Sequence, residues 1–178
     1  MSVRDDEELL ALVARGDQVA LAELYDRHAG WLLLRLSRRC GDPGLVEETV
    51  QDTFMSVWRS AGSYRSTGGG AEAGGWLWTL ASRRLVDGLR RAERTAEPLD
   101  APHRDAVPGP EEVLLTDLSH GDLAGALDRL SPDLRRVLQA TVIDGFTTRE
   151  GALVLGVPEG TVKTRAARAR RQLRAGLA

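Results

Sequence analysis

The stretch that decides the fold is Thr147-Thr148-Arg149-Glu150-Gly151-Ala152-Leu153-Val154-Leu155-Gly156-Val157-Pro158-Glu159-Gly160-Thr161-Val162-Lys163-Thr164-Arg165, continued by Ala166-Ala167-Arg168-Ala169-Arg170-Arg171-Gln172-Leu173-Arg174. It predicts a short helix, a tight turn and a second, cationic helix. Thr147 and Glu150 have the spacing of a capping box, in which each side chain satisfies a free donor at the helix start. Gly156 stands where the first helix must stop, because glycine accepts the left-handed backbone of a C-cap. Pro158 suits the first position of the next helix, where a missing N–H is no loss. From Pro158 to the end, six cations (Lys163, Arg165, Arg168, Arg170, Arg171, Arg174) face one anion, Glu159, a local charge of +5. Val162, Ala166, Ala169 and Leu173 recur at spacings of four, three and four and predict the buried stripe. Lys163, Thr164, Ala167, Arg168 and Arg171 fall on the other side. A charge run alone is as well explained by a solvated helix face. Joined to the capping box, the glycine turn and the one-sided distribution, it points to a helix-turn-helix that offers its second helix to the major groove.

Working outward, the 178-residue chain carries a formal charge of −2 and only 4% aromatic residues. Abundant Leu, Ala, Arg and Glu, with no alternating β-branched runs, predict an all-α protein. The near-neutral sum conceals a strong segregation of charge, which is the relevant quantity for a nucleic-acid partner. One cysteine, Cys40, cannot form an internal disulfide, and His28, His103 and His120 are scattered, so neither a disulfide framework nor a zinc site nor any cofactor is indicated. The acidic start Asp5-Asp6-Glu7-Glu8 is unlike a signal peptide, and the apolar run Trp31-Leu32-Leu33-Leu34 is too short to span a bilayer. A cytoplasmic protein without membrane insertion is expected.

Four helices are predicted in the first half. Asp5 and Asp6 open the first, which carries Leu9, Leu10, Leu12 and Val13 and breaks at Gly16-Asp17. The second carries Leu21, Leu24, Tyr25, His28, Trp31, Leu32 and Leu36, with His28 read as packed rather than ligating. After the turn Gly41-Asp42-Pro43-Gly44, with Asp42 as cap, the third runs from about Leu45 to Ser60. It sets Val46, Val50, Phe54, Val57 and Trp58 against an acidic, amide-bearing face of Glu47, Glu48, Gln51 and Asp52. A glycine-rich loop from Gly62 to Gly75 precedes the fourth helix, Trp76 to about Arg94, with Leu77, Leu80, Ala81, Leu85 and Leu89 as core residues.

Composition then shifts. Pro98, Pro102, Pro108 and Pro110 arrive without apolar periodicity, and Glu97, Asp100, Asp105, Glu111, Glu112, Asp117 and Asp122 stand against Arg104 alone. This predicts an acidic tether. Beyond it, a helix near Glu111 to Leu130 is followed by another that Ser131-Pro132 caps and starts, holding Leu134, Val137, Leu138 and Val142. The architecture is thus two small helical domains, residues 1–94 and 118–178, joined by a flexible acidic linker over 95–117.

Four stretches together are similar to the extracytoplasmic-function (ECF) sigma factors of bacterial RNA polymerase. They are Val46 to Phe54 with Val57-Trp58; Trp76-Leu77-Trp78 through Asp87 to Arg90-Arg91; Leu130-Ser131-Pro132 with Arg136-Val137-Leu138; and Gly156 to Arg165. The last is the most specific. This resemblance implies a transcription initiation factor with no catalytic residues, whose partners are the polymerase core, promoter DNA and an anti-sigma protein. By it, Glu47, Glu48, Gln51, Asp52 and Trp58 dock on the coiled coil of the polymerase's largest subunit. Tyr64, Arg65, Trp78, Arg83, Arg84, Arg90 and Arg91 belong to the minus-ten and melting region, although Trp76 and Trp78 suit a helix core as well as a stacking platform. Pro158, Glu159, Gly160, Thr161, Lys163, Thr164, Ala167, Arg168 and Arg171 read the minus-thirty-five element. Arg83 replaces a commoner Asn of the family and Gly151 a larger residue. A stand-alone helix-turn-helix regulator is the alternative; it leaves the Glu47–Trp58 and Trp76–Arg91 stretches without a role.

Overall fold

The computed structural model describes residues 4–65, 72–95 and 121–176. Every regular element among them is helical, and the chain divides into two compact units after Thr95. The expected tether over 95–117, and the glycines at 68–70, lie outside the described residues apart from Thr95.

The first unit contains α1 (Asp6–Val13), α2 (Gln18–Ser37), α3 (Pro43–Ser60), a short 3-10 turn (Ala61–Ser63) and α4 (Glu72–Thr95). Aspartates begin the first three helices. Asp5 accepts from the Glu8 N–H at 2.8 Å, Asp17 from Val19 and Ala20, and Asp42 from Leu45 at 3.2 Å. Each cap is worth about 1 kcal/mol relative to alanine. The break between α1 and α2 uses Gly16 at φ 89°, open to glycine at little steric cost. Leu9, Leu10 and Val13 of α1, Leu24, Leu32 and Leu36 of α2, Val50 and Val57 of α3, and Leu77, Leu85 and Val86 of α4 fill the core. His28 is packed as expected and bonds Asp6 across α1 and α2 at 2.8 Å, beside the Arg27–Asp6 ion pair.

Two boundaries differ from the sequence reading. Helix α3 begins at Pro43, because Asp42 caps directly onto a proline already set for a first turn. Helix α4 begins at Glu72, so Gly74 and Gly75 lie within its first turns rather than in a loop. The α3–α4 interface also contains polar residues that apolar periodicity alone overlooks. The hydroxyls of Thr49, Thr53, Ser56 and Ser60 each donate to the carbonyl four residues back at 2.7 Å, which satisfies them inside a packed face. Leu80 and Tyr25, expected in the core, are only partly covered, while Val86 is buried.

The second unit contains α5 (Gly121–Asp128), α6 (Pro132–Leu138), α7 (Thr148–Leu155) and α8 (Glu159–Gly176), with a π-helical turn over Gln139–Ile143 continuing α6. Ser131 occupies the cap position of α6 but makes no side-chain capping bond. The widened π turn rotates the helix after Leu138, and Val142 emerges 58% exposed instead of joining the core. Two apolar clusters hold the unit together: Leu127, Leu130, Leu134, Leu138 and Ala169 with Leu173, and Val137, Val162 and Ala166 with Ala152, Leu155 and Val157. Among the described residues no helix is long and apolar enough to cross a membrane.

Two helical glycines make contrasting predictions. A Cβ on Gly151 meets only Val162 and Thr141 methyls, at 3.7 and 3.8 Å, so Gly151→Ala removes unfolded-chain entropy without a clash. It is expected to stabilise by about 0.5–1 kcal/mol and raise the melting temperature of this unit by roughly 2–8 °C. A Cβ on Gly88 lies 2.5 Å from Leu45 Cδ1, so Gly88→Ala forces that side chain aside and forfeits the gain. Thermal melts of both variants check the pair.

Candidate nucleic-acid interface

The turn between α7 and α8 is built as its residues dictate. Thr147 Oγ1 accepts from the Glu150 N–H at 3.2 Å, and Glu150 Oε2 accepts from the Thr147 N–H at 2.9 Å, completing the capping box. Gly156 ends α7 at φ 65°, and the Val157 N–H turns back to the Ala152 carbonyl. The Pro158 carbonyl accepts from Thr161 and Val162 at 2.9 and 3.2 Å, which makes Pro158 the residue before the first turn of α8 rather than its first residue.

Helix α8 is two-sided. Val162, Ala166 and Ala169 are buried and Leu173 packs on the core, while Gly160, Lys163, Thr164, Ala167, Arg168 and Arg171 are exposed. The small side chains of Ala166 and Ala169 let the helix lie close against α6 and α7, with its long cations turned outward. The +5 count overstates the charge available to a ligand. Lys163 Nζ pairs with Glu159 at 2.8 Å, and Arg165 pairs with Asp133 of α6 at 2.7 Å. Among the described residues, Arg168, Arg170, Arg171 and Arg174 have no ion-pair partner. Thr164, Arg165, Arg168 and Gln172 form one wall of a groove of about 580 Å³ whose other wall is Arg129, Ser131, Asp133 and Leu134.

In the first unit the expected residues fall into three environments. Glu47, Glu48 and Gln51 are exposed along α3, with Asp52 and Trp58 half-buried. Arg83 is exposed on α4, Arg90 lies 3.6 Å from Asp87, Arg84 donates to Ser56 Oγ of α3 at 3.0 Å, and Arg91 reaches Glu48 at 2.8 Å. Arg65 folds back on the Gly62 and Tyr64 carbonyls, and Tyr64 meets Trp76 edge-on at 5.5 Å. Trp78 is in the core, 6% exposed, with the guanidinium of Arg35 4.1 Å and that of Arg39 5.1 Å from its ring centre and Trp31 against it. It has no free face for a base, because cation–π contacts and helix packing occupy its ring. Sequence reasoning gave Arg35 and Arg39 no functional role. Their spacing of four, on the same side of α2 as Trp31, was the available signal.

Comparison with known proteins follows this division. Residues 24–95 match the Sigma-70 region 2 family and residues 120–173 the Sigma-70, region 4 family. ECF RNA polymerase sigma factor SigM of Mycobacterium tuberculosis is 36% identical over 172 residues, covering 96% of this chain and 83% of that protein. The chain belongs to the ECF RNA polymerase sigma factors. A second relative, ECF RNA polymerase sigma factor SigK of Mycolicibacterium vanbaalenii, is 35% identical over 89% of this sigma factor and 82% of its own length. Among solved structures, CnrH in complex with the cytosolic domain of CnrY aligns at 27% identity over 96% of this chain and 95% of that one, with a TM-score of 0.42.

The Lys163 hydrogen bond, then the Lys163 charge and the Thr148 hydroxyl hold the Glu159 carboxyl of this sigma factor below its ordinary pKa. A folded-state pKa below the unfolded one means the stabilisation is present above the unfolded carboxylate range. It is lost as pH falls through the folded value. Melts across an acid pH series are expected to lose that contribution in the wild type and not in Glu159→Gln. A second prediction separates core from surface in the first unit: Trp78→Ala costs about 3–5 kcal/mol of stability, whereas Arg83→Ala stays within about 0.5 kcal/mol, as urea titrations of the two variants will read.

Proposed function

We propose that this sigma factor is a transcription initiation factor that binds the core of bacterial RNA polymerase, directs it to specific promoters and assists their melting. The observation that carries the reading is α8: a helix seated by Val162, Ala166 and Ala169 with Lys163, Thr164, Ala167, Arg168 and Arg171 on its open side. Within this proposal, residues 1–94 bind the core and the minus-ten element, 95–117 tether, and 118–178 read the minus-thirty-five element. The Pro158-Glu159-Gly160-Thr161 start turns backbone donors toward phosphate, and Arg168 offers paired donors to a guanine edge. The small Ala167 leaves room for thymine methyls.

The α3 face of Glu47, Glu48, Gln51, Asp52 and Trp58 docks on the coiled coil of the polymerase's largest subunit, where acids and an amide complement a cationic helix. Arg83, Arg90 and Arg91, with Tyr64 and Arg65, hold the separated strand, and Arg84 secures α4 to α3 behind them. Trp78 supports that surface from beneath. An anti-sigma protein covering the α3 face blocks docking. The protein works in the cytoplasm and catalyses no reaction itself; the polymerase does.

Run-off transcription with core polymerase on a genomic fragment pool tests this. The wild type is expected to generate discrete new starts. Arg168→Ala is expected to lose about 1–3 kcal/mol of promoter affinity, and Glu47→Lys with Gln51→Lys to abolish core-dependent transcription while DNA binding persists. Specific DNA binding without transcripts from the wild type would favour the stand-alone regulator.

A further inference from the structure

Glu159 is the one acidic side chain of α8, and it stands at the start of the helix. A carboxylate suits the positive end of the helix dipole, but on a DNA-facing surface it is repelled by phosphate. Its contacts go beyond the helix terminus. The same oxygen, Oε1, accepts from Thr148 Oγ1 of α7 at 3.2 Å and from Lys163 Nζ one turn along α8 at 2.8 Å. Thr148 is the first residue of α7, so the carboxylate is anchored to both helices of the motif. Lys163 remains 62% exposed at its side chain, with its head group beside a fixed acceptor.

A free lysine on a four-carbon stem is a mobile point charge, suited to any phosphate within reach. Held by Glu159 it is different in two respects. Its ammonium has three donors, of which the carboxylate takes one and leaves the others aimed from a defined position. Its charge is locally cancelled, so moving the pair against phosphate releases little counterion, and that release is the main source of sequence-independent affinity. A hydrogen bond to the O6 and N7 acceptors of guanine depends on direction rather than net charge, and it survives the pairing.

We propose that Glu159 is a specificity-determining positioning residue of this sigma factor: anchored by Thr148, it holds Lys163 as a base-edge donor in the major groove and withdraws it from the phosphate backbone. This rests on the assignment of α8 as the helix that reads the minus-thirty-five element, and goes beyond it by giving the one acidic side chain of that helix a role.

The test uses the full chain assembled on core polymerase, with core alone as the blank. Binding is titrated against salt on two duplexes, one recovered by selection from a randomised pool with the wild type and one of scrambled sequence. Glu159→Gln keeps the shape and removes the charge. It is expected to bind the scrambled duplex about two- to fivefold more tightly, as the loss of an exposed ion pair implies. Its dependence of log affinity on log salt should steepen by about 0.9, one added phosphate contact, and its selected-to-scrambled ratio should fall. Thr148→Val, which removes the anchor but keeps the charge, should lower the ratio without steepening the salt dependence. Lys163→Met should lower the ratio by itself and erase the effect of Glu159→Gln on it. An equal rise on both duplexes with the ratio unchanged would overturn the proposal, since Glu159 would then be a simple repulsive charge. No preference for the selected duplex in the wild type would overturn the assignment of α8 itself, an outcome visible before any variant is made.

Discussion

The close seating of α8 on α6 and α7 is the constraint on which the second unit depends. Val162, Ala166 and Ala169 are almost fully buried, and two of the three are alanines. A small-residue stripe brings the helix axis near its neighbours, so that side chains on the opposite side project outward as a block. Larger residues at 166 or 169 would lift the helix and open the Leu127–Leu138 and Val137–Val162 clusters together, because Ala169 belongs to one and Ala166 to the other. The turn chemistry serves the same seat. The capping box fixes where α7 starts, Gly156 fixes where it ends, and the Pro158 carbonyl fixes the first bonds of α8. A basic helix with this composition but no such seat would be a solvated rod with cations all round.

In the first unit the corresponding role falls to α3 and α4. Their interface combines apolar residues with hydroxyls bonded back to their own helix, so Thr49, Thr53 and Ser56 are buried without an orphaned donor. Above that interface run two polar links, Arg84 to Ser56 and Arg91 to Glu48. The Arg91–Glu48 pair joins a residue proposed to hold DNA to one proposed to dock on the polymerase. It is exposed, so its energetic worth is small, on the order of 0–1 kcal/mol, and it yields readily to a partner on either side. Trp78 works differently. Buried under Arg35 and Arg39, it ties α4 to α2 and gives α4 a rigid back.

What chain order alone conveys is governed by local physics. The capping box of Thr147 and Glu150, the left-handed stop at Gly156, the Asp42 cap and the burial of Val162, Ala166 and Ala169 follow from intra-helix hydrogen bonding and the 3.6-residue period. All were legible because every partner is within a turn or two in sequence. Family membership was legible for the same reason, since its most specific motif lies within that short run. Helix starts at Pro43 and Glu72 were less so, because glycines next to a boundary are compatible with either state and packing chooses between them.

Other features exist only once distant segments meet. Glu159 and Lys163 are four apart on one helix, a pairing that chain order allows, but no local pattern says that Arg165 is paired with Asp133 and so contributes less free charge than the count suggests. Nor does one say that Trp78 is enclosed while Tyr64 and Trp76 stay partly open, since that depends on α2 lying across α4. The exposure of Val142 required the π turn, a one-residue slip in hydrogen bonding that leaves composition unchanged. The sequence by itself determined the helices, their caps and the sidedness of α8, because those energies are local. Only the tertiary structure decided that Arg165 is paired and which aromatic is core, because Asp133 and the side chains around Trp78 come from segments far apart in the chain.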